Sequence, residues 1–133
     1  MKRYLLYHFP WQFMMIAIFI QSSIRDINLP DLHIDWTDKL LHFIGFGILG
    51  IFIARSLVRM WPGRYHLLTF LIGSIYAASD EIHQHFIPGR SATYGDWIAD
   101  TLGILFFATA YHFLFGKKLR LHQNRLKQVT TGR

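Results

Sequence analysis

Residues 79–90 concentrate the groups of this chain that are best suited to chemistry. They read Ser-Asp-Glu-Ile-His-Gln-His-Phe-Ile-Pro-Gly-Arg, so two adjacent carboxylates, two imidazoles, a carboxamide and a guanidinium fall within one short stretch. Carboxylates and imidazoles act as general acids and bases or as metal ligands, and a guanidinium binds phosphate. Apolar runs lie on both sides of the stretch. Ionisable residues are costly in such a setting, so they predict a functional site.

Two further segments place ionisable residues at the border of an apolar run. Asp38 precedes His42 by four residues, and Asp96 precedes Asp100 by four. Residues at i and i+4 share one face of a helix, and each of these faces continues into a glycine about one turn further on. Small residues let membrane helices approach closely. We therefore expect three polar helix faces to point at one another.

The elements that carry these faces are predicted from composition and from long uncharged runs. The chain has 133 residues, of which 52% are apolar and 17% charged, against about 25% charged in soluble proteins. A helix of about 20 predominantly apolar residues crosses a hydrocarbon core of about 30 Å. Four such spans are predicted, at residues 4–24, 38–59, 65–84 and 96–116.

The predicted fold is therefore all-α: a four-transmembrane-helix bundle, with a short outer amphipathic segment between the first two helices. That segment covers residues 25–37. Residues 1–116 form the membrane domain, and residues 117–133 form a basic cytoplasmic tail.

The distribution of charge predicts the orientation of the spans. Eleven of the 14 Lys and Arg residues lie at the N-terminus, around the turn between the second and third spans, or in the tail. All eight acidic residues lie between Asp26 and Asp100. The positive-inside rule then predicts an inner-membrane protein that has both termini in the cytoplasm and residues 79–90 at the outer side of the membrane. The same division argues against a nucleic-acid partner despite the net charge of +6, and membrane lipids are the expected partners.

Three of the spans are too short unless polar residues extend them. Their uncharged parts hold only 15 or 16 residues, and 15 helical residues reach about 22 Å of the roughly 30 Å core. Polar groups must therefore enter the membrane at the outer ends, where they face protein, water or each other. We expect one pocket just under the outer surface, surrounded by eight residues: Asp38, His42, Asp80, Glu81, His83, Arg90, Asp96 and Asp100.

The expected roles in this pocket divide into two sets. Acid, base or metal-ligand roles fall to four residues: Asp80, Glu81, His83 and His42. Substrate binding falls to six: Arg90, Lys39, Gln84, Asp38, Asp96 and Asp100. The plainer interpretation is that the carboxylates are helix-end charges solvated by headgroups and that the histidines only pack helices together.

The charges of the expected pocket do not balance. Five carboxylates against Lys39 and Arg90 leave a net charge of −3 when the histidines are neutral, and buried uncompensated charge is not tolerated. Either some carboxylates are protonated, or a histidine is charged, or a cation is bound. A divalent cation with carboxylate and imidazole ligands fits. The sequence has no spaced metal motif such as HExxH and no cysteine, so the cofactor and its ligands stay unassigned.

Three segments, in this order, resemble the VanZ-like family of small membrane proteins. They are Asp38-Lys39-Leu40-Leu41-His42-Phe43-Ile44-Gly45-Phe46-Gly47, then residues 79–90, then Asp96-Trp97-Ile98-Ala99-Asp100-Thr101-Leu102-Gly103. The resemblance covers about residues 38–116. It implies a four-helix membrane core and a cell-envelope role, and the family takes its name from low-level teicoplanin resistance. Asp100 departs from the Asn that the resemblance leads us to expect.

Three functions are compatible with these features. The first is an enzyme that acts on an envelope lipid or a lipid-linked cell-wall intermediate, with Lys39 and Arg90 holding a phosphate. The second is a non-catalytic binder of lipid or glycopeptide. The third, a proton-coupled transporter, is least favoured because no ionisable residue continues the path through the lower half of the core. Since no nucleophile has a recognisable triad spacing, the sequence leaves open whether the chain is an enzyme.

Overall fold

The computed structural model describes residues 2–24, 35–90 and 92–131, with side chains over residues 6–24, 37–90 and 92–116. Over these residues the chain is all-helical and has no strand, as predicted. Its four helices are α1 (Lys2–Ser23), α2 (Asp35–Met60), α3 (Tyr65–His85) and α4 (Tyr94–Thr131). Residues 25–34, which hold most of the predicted amphipathic segment, lie outside the described residues.

The helix ends differ in small ways from the predicted spans. α2 begins at Asp35, so Asp38 lies inside the helix near its start, where a carboxylate is favourable beside unpaired backbone N–H groups. α3 ends at His85, and the following turn contains Gly89 at a φ of 89°, a left-handed conformation that glycine adopts without strain. α4 continues beyond residue 116 to Thr131, so the helix extends into the predicted tail.

Two helical stretches are long and apolar enough to cross a membrane: Thr37–Met60 and Tyr94–Gly116. They lie in α2 and α4. α3 has 21 residues, but carboxylate, imidazole and carboxamide side chains occupy its last two turns and make it less apolar. The two stretches are consistent with the predicted membrane protein.

α2 is the central helix of the bundle, because it packs on each of the other three and most extensively on α4. α1 packs on α2 and α3, and within the described residues it does not pack on α4. Leu49 and Ile53 of α2 and Ile104 of α4 are fully buried in the core. Ile104 fits against Gly73 of α3, where an added Cβ would lie 2.6 Å from Ile104 Cδ1. A larger residue at position 73 would push α3 away from α4.

The polar residues of the bundle gather at one end. The C-terminal turns of α1 and α3 and the N-terminal turns of α2 and α4 meet there, as contacts between Ser22 and Asp80 and between Lys39 and Asp96 show. We call this the polar end. At the opposite end Arg59 of α2 lies over the ring of Tyr7 of α1.

Candidate functional site

Three ionisable side chains from three helices meet at the polar end: His42 of α2, Glu81 of α3 and Asp100 of α4. We call them the carboxylate–histidine cluster. His42 Nδ1 lies 3.0 Å from Asp100 Oδ1 and 3.9 Å from Glu81 Oε1. Their side chains are almost entirely buried, and that of Asp100 has an exposed fraction of 0%. The cluster thus confirms that polar faces of these three helices point at one another.

Two carboxylate oxygens of the cluster lack a partner. Glu81 Oε1 and Asp100 Oδ2 are buried and accept no hydrogen bond from any described residue. The other Glu81 oxygen, Oε2, accepts a hydrogen bond of 3.1 Å from the backbone N–H of Thr93. Because nearly all buried polar atoms in proteins are paired, an orphaned oxygen on each of these two side chains indicates a place for a cation, a proton or a polar group of a ligand.

Lys39 and Asp96 form an ion pair beside the cluster. Lys39 Nζ donates to Asp96 Oδ1 at 2.7 Å, and Thr93 Oγ1 donates to Asp96 Oδ2 at 2.6 Å. The Asp96 N–H in turn lies 3.3 Å from Thr93 Oγ1, so Thr93 caps the start of α4. The ammonium group therefore neutralises Asp96, and it does not neutralise Glu81 or Asp100.

A second buried polar group, formed by Ser22, Asp80 and Gln84, lies on the α1 side of α3. Ser22 Oγ and Gln84 Nε2 each donate to Asp80 Oδ2 at 2.8 Å. Asp80 Oδ1 is buried without a partner among the described residues. Adjacent residues on a helix point about 100° apart, which explains why Asp80 faces α1 while Glu81 faces α2 and α4.

His83 and Arg90 lie against α1 and away from the carboxylate–histidine cluster. His83 Nε2 is 2.9 Å from Ser23 Oγ, and its ring stacks on Phe19 at 4.6 Å between centroids. Arg90 donates to the backbone carbonyl oxygens of Gln21 at 2.9 Å and Ile24 at 3.4 Å. The Gln21 carbonyl also accepts the N–H of Ile24 at 3.2 Å, so Arg90 adds a second donor there and bonds the chain just beyond α1, where helix carbonyls lack their usual partners.

The eight residues expected around one pocket are thus divided between two faces of α3. The structure brings together His42, Glu81 and Asp100, with the exposed Asp38 at 4.0 Å from His42 Nε2 and the Lys39–Asp96 pair alongside. It groups Asp80 with Gln84, and it places the side chains of His83 and Arg90 against α1. The roles that the sequence suggests for these residues stay predictions.

Two cavities reach the cluster from opposite sides. The larger, of about 730 Å³, lies between α3 and α4 and has Glu81 in its wall; its other lining residues are Ala78, Ile82, His85, Ala92, Thr93, Tyr94 and Trp97. The smaller, of about 370 Å³, lies beside α1 and α2 and reaches Asp38, His42 and Asp80. Glu81 is therefore the cluster residue through which a ligand in the larger cavity meets His42 and Asp100.

The cluster is arranged for acid–base chemistry or for cation binding. Asp100 Oδ1 contacts the His42 imidazole at Nδ1. In acid–base chemistry this contact is a hydrogen bond that orients the ring, and in cation binding the two atoms are neighbouring ligands of one ion. Glu81 lies at the cavity wall beside this pair. Among the described residues no Ser, Thr or Cys side chain hydrogen-bonds to His42, so the cluster shows no hydroxyl or thiol that His42 would activate as a nucleophile.

Sequence reasoning missed several residues of the site. Thr93 is one of them. It precedes the predicted site residue Asp96 by three positions, the spacing of an N-terminal capping box, and this signal predicts the start of α4 and the hydrogen bond between the two. Ser22 showed no comparable signal, because a serine near the end of an apolar run has no distinguishing pattern. Tyr94 and Trp97 line the larger cavity. The sequence does not distinguish this position from that of an interface anchor, because aromatic residues are common near membrane boundaries.

These features define a class of small helical protein that has a buried carboxylate–imidazole site at one end of its bundle. The chain belongs to the VanZ/LLP1 family, whose sequence model matches residues 2–115. This confirms the VanZ-like resemblance and extends it from residues 38–116 to include α1. Neither a search of characterised proteins nor a search of solved structures found a match.

Proposed function

We propose that this VanZ/LLP1-family protein crosses the inner membrane four times with both termini in the cytoplasm, and that its polar end acts on or binds an envelope lipid or a lipid-linked cell-wall intermediate. The larger cavity is the observation that supports this proposal most directly. Its wall is mainly apolar, yet it includes Glu81, which has one buried oxygen without a partner among the described residues and lies beside His42. Such a cavity suits a ligand with an apolar chain and a polar head.

The surface of the bundle supports a lipid environment for all four helices. Large apolar side chains point outward on α1, α3 and α4, with exposed fractions of 60% for Phe13, 68% for Ile75 and 79% for Phe113. Contiguous apolar surface of this kind is unusual on a soluble monomer. α1 and α3 pack beside α2 and α4, which contain the two long apolar stretches, so we place all four at the same depth.

The distribution of charge between the two ends supports the proposed orientation. The polar end holds the buried carboxylates, whereas Arg55, Arg59 and Arg64 lie at the opposite end or in the turn that follows. Under the positive-inside rule the arginine-bearing end is cytoplasmic. The cluster and both cavities that reach it then open toward the outer leaflet, where lipid-linked cell-wall intermediates are used.

Within this proposal Glu81, His42 and Asp100 carry the acid–base role, and Lys39, beside the cluster, contacts the phosphate of the ligand. Lys39 is partly exposed and keeps N–H donors beyond the one it gives to Asp96. Arg90 lies against α1 and does not line the larger cavity, so the proposal gives it no part in holding that phosphate. A proton-coupled transporter is disfavoured, because fully buried Leu49, Ile53 and Ile104 close the centre of the bundle.

The experiment compares wild type with Glu81→Gln in nanodiscs that contain bacterial envelope lipids. Mass spectrometry follows both the lipids that co-purify and their conversion after incubation with a lipid-linked cell-wall intermediate. Ser79→Ala is the matched control, since Ser79 is an exposed residue of the same helix that bonds only its own helix carbonyl.

We expect wild type and Ser79→Ala to convert the lipid and Glu81→Gln to retain it unconverted. Retention without conversion by all three proteins would identify a non-catalytic binder, whose effect on glycopeptide access is then tested by teicoplanin susceptibility. Neither retention nor conversion in any of the three would overturn the proposal.

A further inference from the structure

We infer that the carboxylate–histidine cluster binds one divalent cation of the Zn²⁺ or Mn²⁺ type through His42, Glu81 and Asp100. These three side chains come from three different helices, and one ligand atom from each lies within 4.8 Å of the others. Within the described residues this is the group of acidic and histidine side chains that comes close enough to share an ion.

The distances inside the cluster match those between ligands of a bound metal. Metal–nitrogen and metal–oxygen bonds of about 2.1 Å at angles between 90° and 110° separate neighbouring ligand atoms by about 3.0–3.4 Å. His42 Nδ1 lies 3.0 Å from Asp100 Oδ1 and 3.9 Å from Glu81 Oε1. All three ligand atoms lie within 4.8 Å of one another, so movement of Glu81 toward the other two would complete a three-ligand arrangement.

The unpaired oxygens give an independent reason for a cation. Glu81 Oε1 and Asp100 Oδ2 are buried and have no hydrogen-bond partner in the described part of the chain. A divalent cation held between the two side chains would attract both oxygens. It would also neutralise both carboxylates. Lys39 pairs with Asp96 and Arg90 with backbone carbonyls, so among the described groups of the polar end it is otherwise left to a protonated histidine to offset their charge.

The surroundings of His42 suit a metal-bound imidazole. Asp38 Oδ1 lies 4.0 Å from Nε2, on the opposite side of the ring from Nδ1. Metal-binding histidines usually have a carboxylate or carbonyl at their second nitrogen, which orients the ring. One imidazole and two carboxylates suit Zn²⁺ and Mn²⁺ better than Mg²⁺, which prefers oxygen ligands alone. The two cavities leave coordination positions open to water or ligand, as in catalytic metal sites.

The test measures metal binding without any lipid substrate. Wild type, Glu81→Gln, Asp100→Asn and Asp80→Asn are purified in detergent, stripped with chelator and titrated with ZnCl2 and with MnCl2. Bound metal is counted by elemental analysis, and the melting temperature is recorded with and without metal. Asp80→Asn is the matched control. It removes a buried carboxylate next to Glu81 whose contacts are to Ser22 and Gln84 on the α1 side of α3, so the ligand set inferred here excludes the metal-ligand role that the sequence suggests for Asp80.

We expect one equivalent of metal in wild type and in Asp80→Asn, with a rise in melting temperature by mass action. Glu81→Gln and Asp100→Asn should bind at least about tenfold more weakly, since loss of even an outer-shell partner weakens metal sites about 10–100-fold. Equal weakening in all three variants would indicate general electrostatic attraction and would overturn the assignment. If a variant cannot be purified, the wild-type titration decides, and absence of saturable binding by both cations overturns the site.

The inferred metal site and the proposed lipid function rest on the same cluster, but experiment can refute either one without the other. Saturable metal binding without lipid retention supports the metal site and counts against the lipid proposal. Lipid conversion that survives chelator treatment, together with no metal binding, supports the lipid proposal and excludes the metal.

Discussion

Asp100 has no exposed surface, and its surroundings show why a carboxylate is tolerated there. One oxygen contacts the His42 ring, while the other has no partner among the described residues. The family resemblance leads us to expect Asn at this position. An Asn side chain pairs with a neutral imidazole equally well, but it adds no negative charge. The carboxylate of Asp100 therefore makes the site of this chain more attractive to a cation than its Asn counterpart would be.

The partners of individual residues are the part of the site that the sequence does not determine. Periodicity places Asp80 and Glu81 at the end of a helix and predicts that they are buried, as they are. It does not show that Asp80 faces α1 while Glu81 faces α4, because the rotation of a helix about its axis depends on how its neighbours pack. For the same reason the sequence does not identify the partner of Arg90, which could be any nearby carboxylate. In the structure Arg90 donates to two backbone carbonyl oxygens.

Arg90 gives a prediction that separates geometry from charge. If Arg90 stabilised the protein mainly by offsetting the charge of the carboxylates, Arg90→Lys would keep the stability of wild type. Because it bonds the last carbonyls of α1 through two N–H groups, we expect Arg90→Ala and Arg90→Lys both to lower the free energy of unfolding by about 1 kcal/mol. Melting temperatures in detergent measure this. Full stability of Arg90→Lys, with loss only in Arg90→Ala, would favour the charge interpretation.

The contact between α2 and α4 depends on glycines. The sequence predicts that Gly47 and Gly103 lie at helix contacts and that Gly63 does not. In the structure a Cβ at Gly103 would overlap the backbone carbonyl of Phe43, and one at Gly47 would lie 2.5 Å from the Phe107 ring, whereas Gly63 has open space around it. A ring can rotate, but the backbone of a packed helix cannot move aside.

Substitution of these glycines by alanine tests the contact. We expect Gly103→Ala to destabilise the bundle by about 1–3 kcal/mol and Gly47→Ala to have a smaller effect. Gly45→Ala is the matched control, because Gly45 is also inside α2 yet has no atom within 4 Å of an added Cβ. The melting temperature and the yield of monodisperse protein in detergent report the result. A Gly45→Ala protein as unstable as Gly103→Ala would contradict close packing as the cause.

The existence and order of the helices follow well from the sequence, and their ends follow less well. Uncharged runs of 15 to 21 residues have few alternatives to a helix in lipid, since every backbone N–H and C=O must be paired internally. The beginning of α2 at Asp35 is harder to predict, because polar residues at a membrane boundary are equally compatible with a loop. The amphipathic segment predicted before it lies outside the described residues and stays a prediction.

At the scale of the whole molecule, the antiparallel order of the helices explains how distant polar motifs meet. Residues 38–42, 80–84 and 96–100 belong to three helices, and each motif lies at the end of its helix that reaches the same side of the bundle. The opposite side holds the arginine-bearing turn between α2 and α3. This polarity makes orientation in the membrane a property of the entire chain.

Cysteine labelling tests that orientation and, in particular, whether α3 crosses the membrane. The chain has no cysteine, so Gly63→Cys, in the turn before α3, and Tyr94→Cys, after it, each carry a single thiol. Tyr94 is 89% exposed, and Gly63 has open space around it, so both positions tolerate the change. In intact cells we expect a membrane-impermeant maleimide to label Tyr94→Cys and to reach Gly63→Cys only after permeabilisation. Labelling of both from outside would mean that α3 does not span, and labelling of Gly63→Cys alone would invert the topology and move the cluster to the cytoplasmic leaflet.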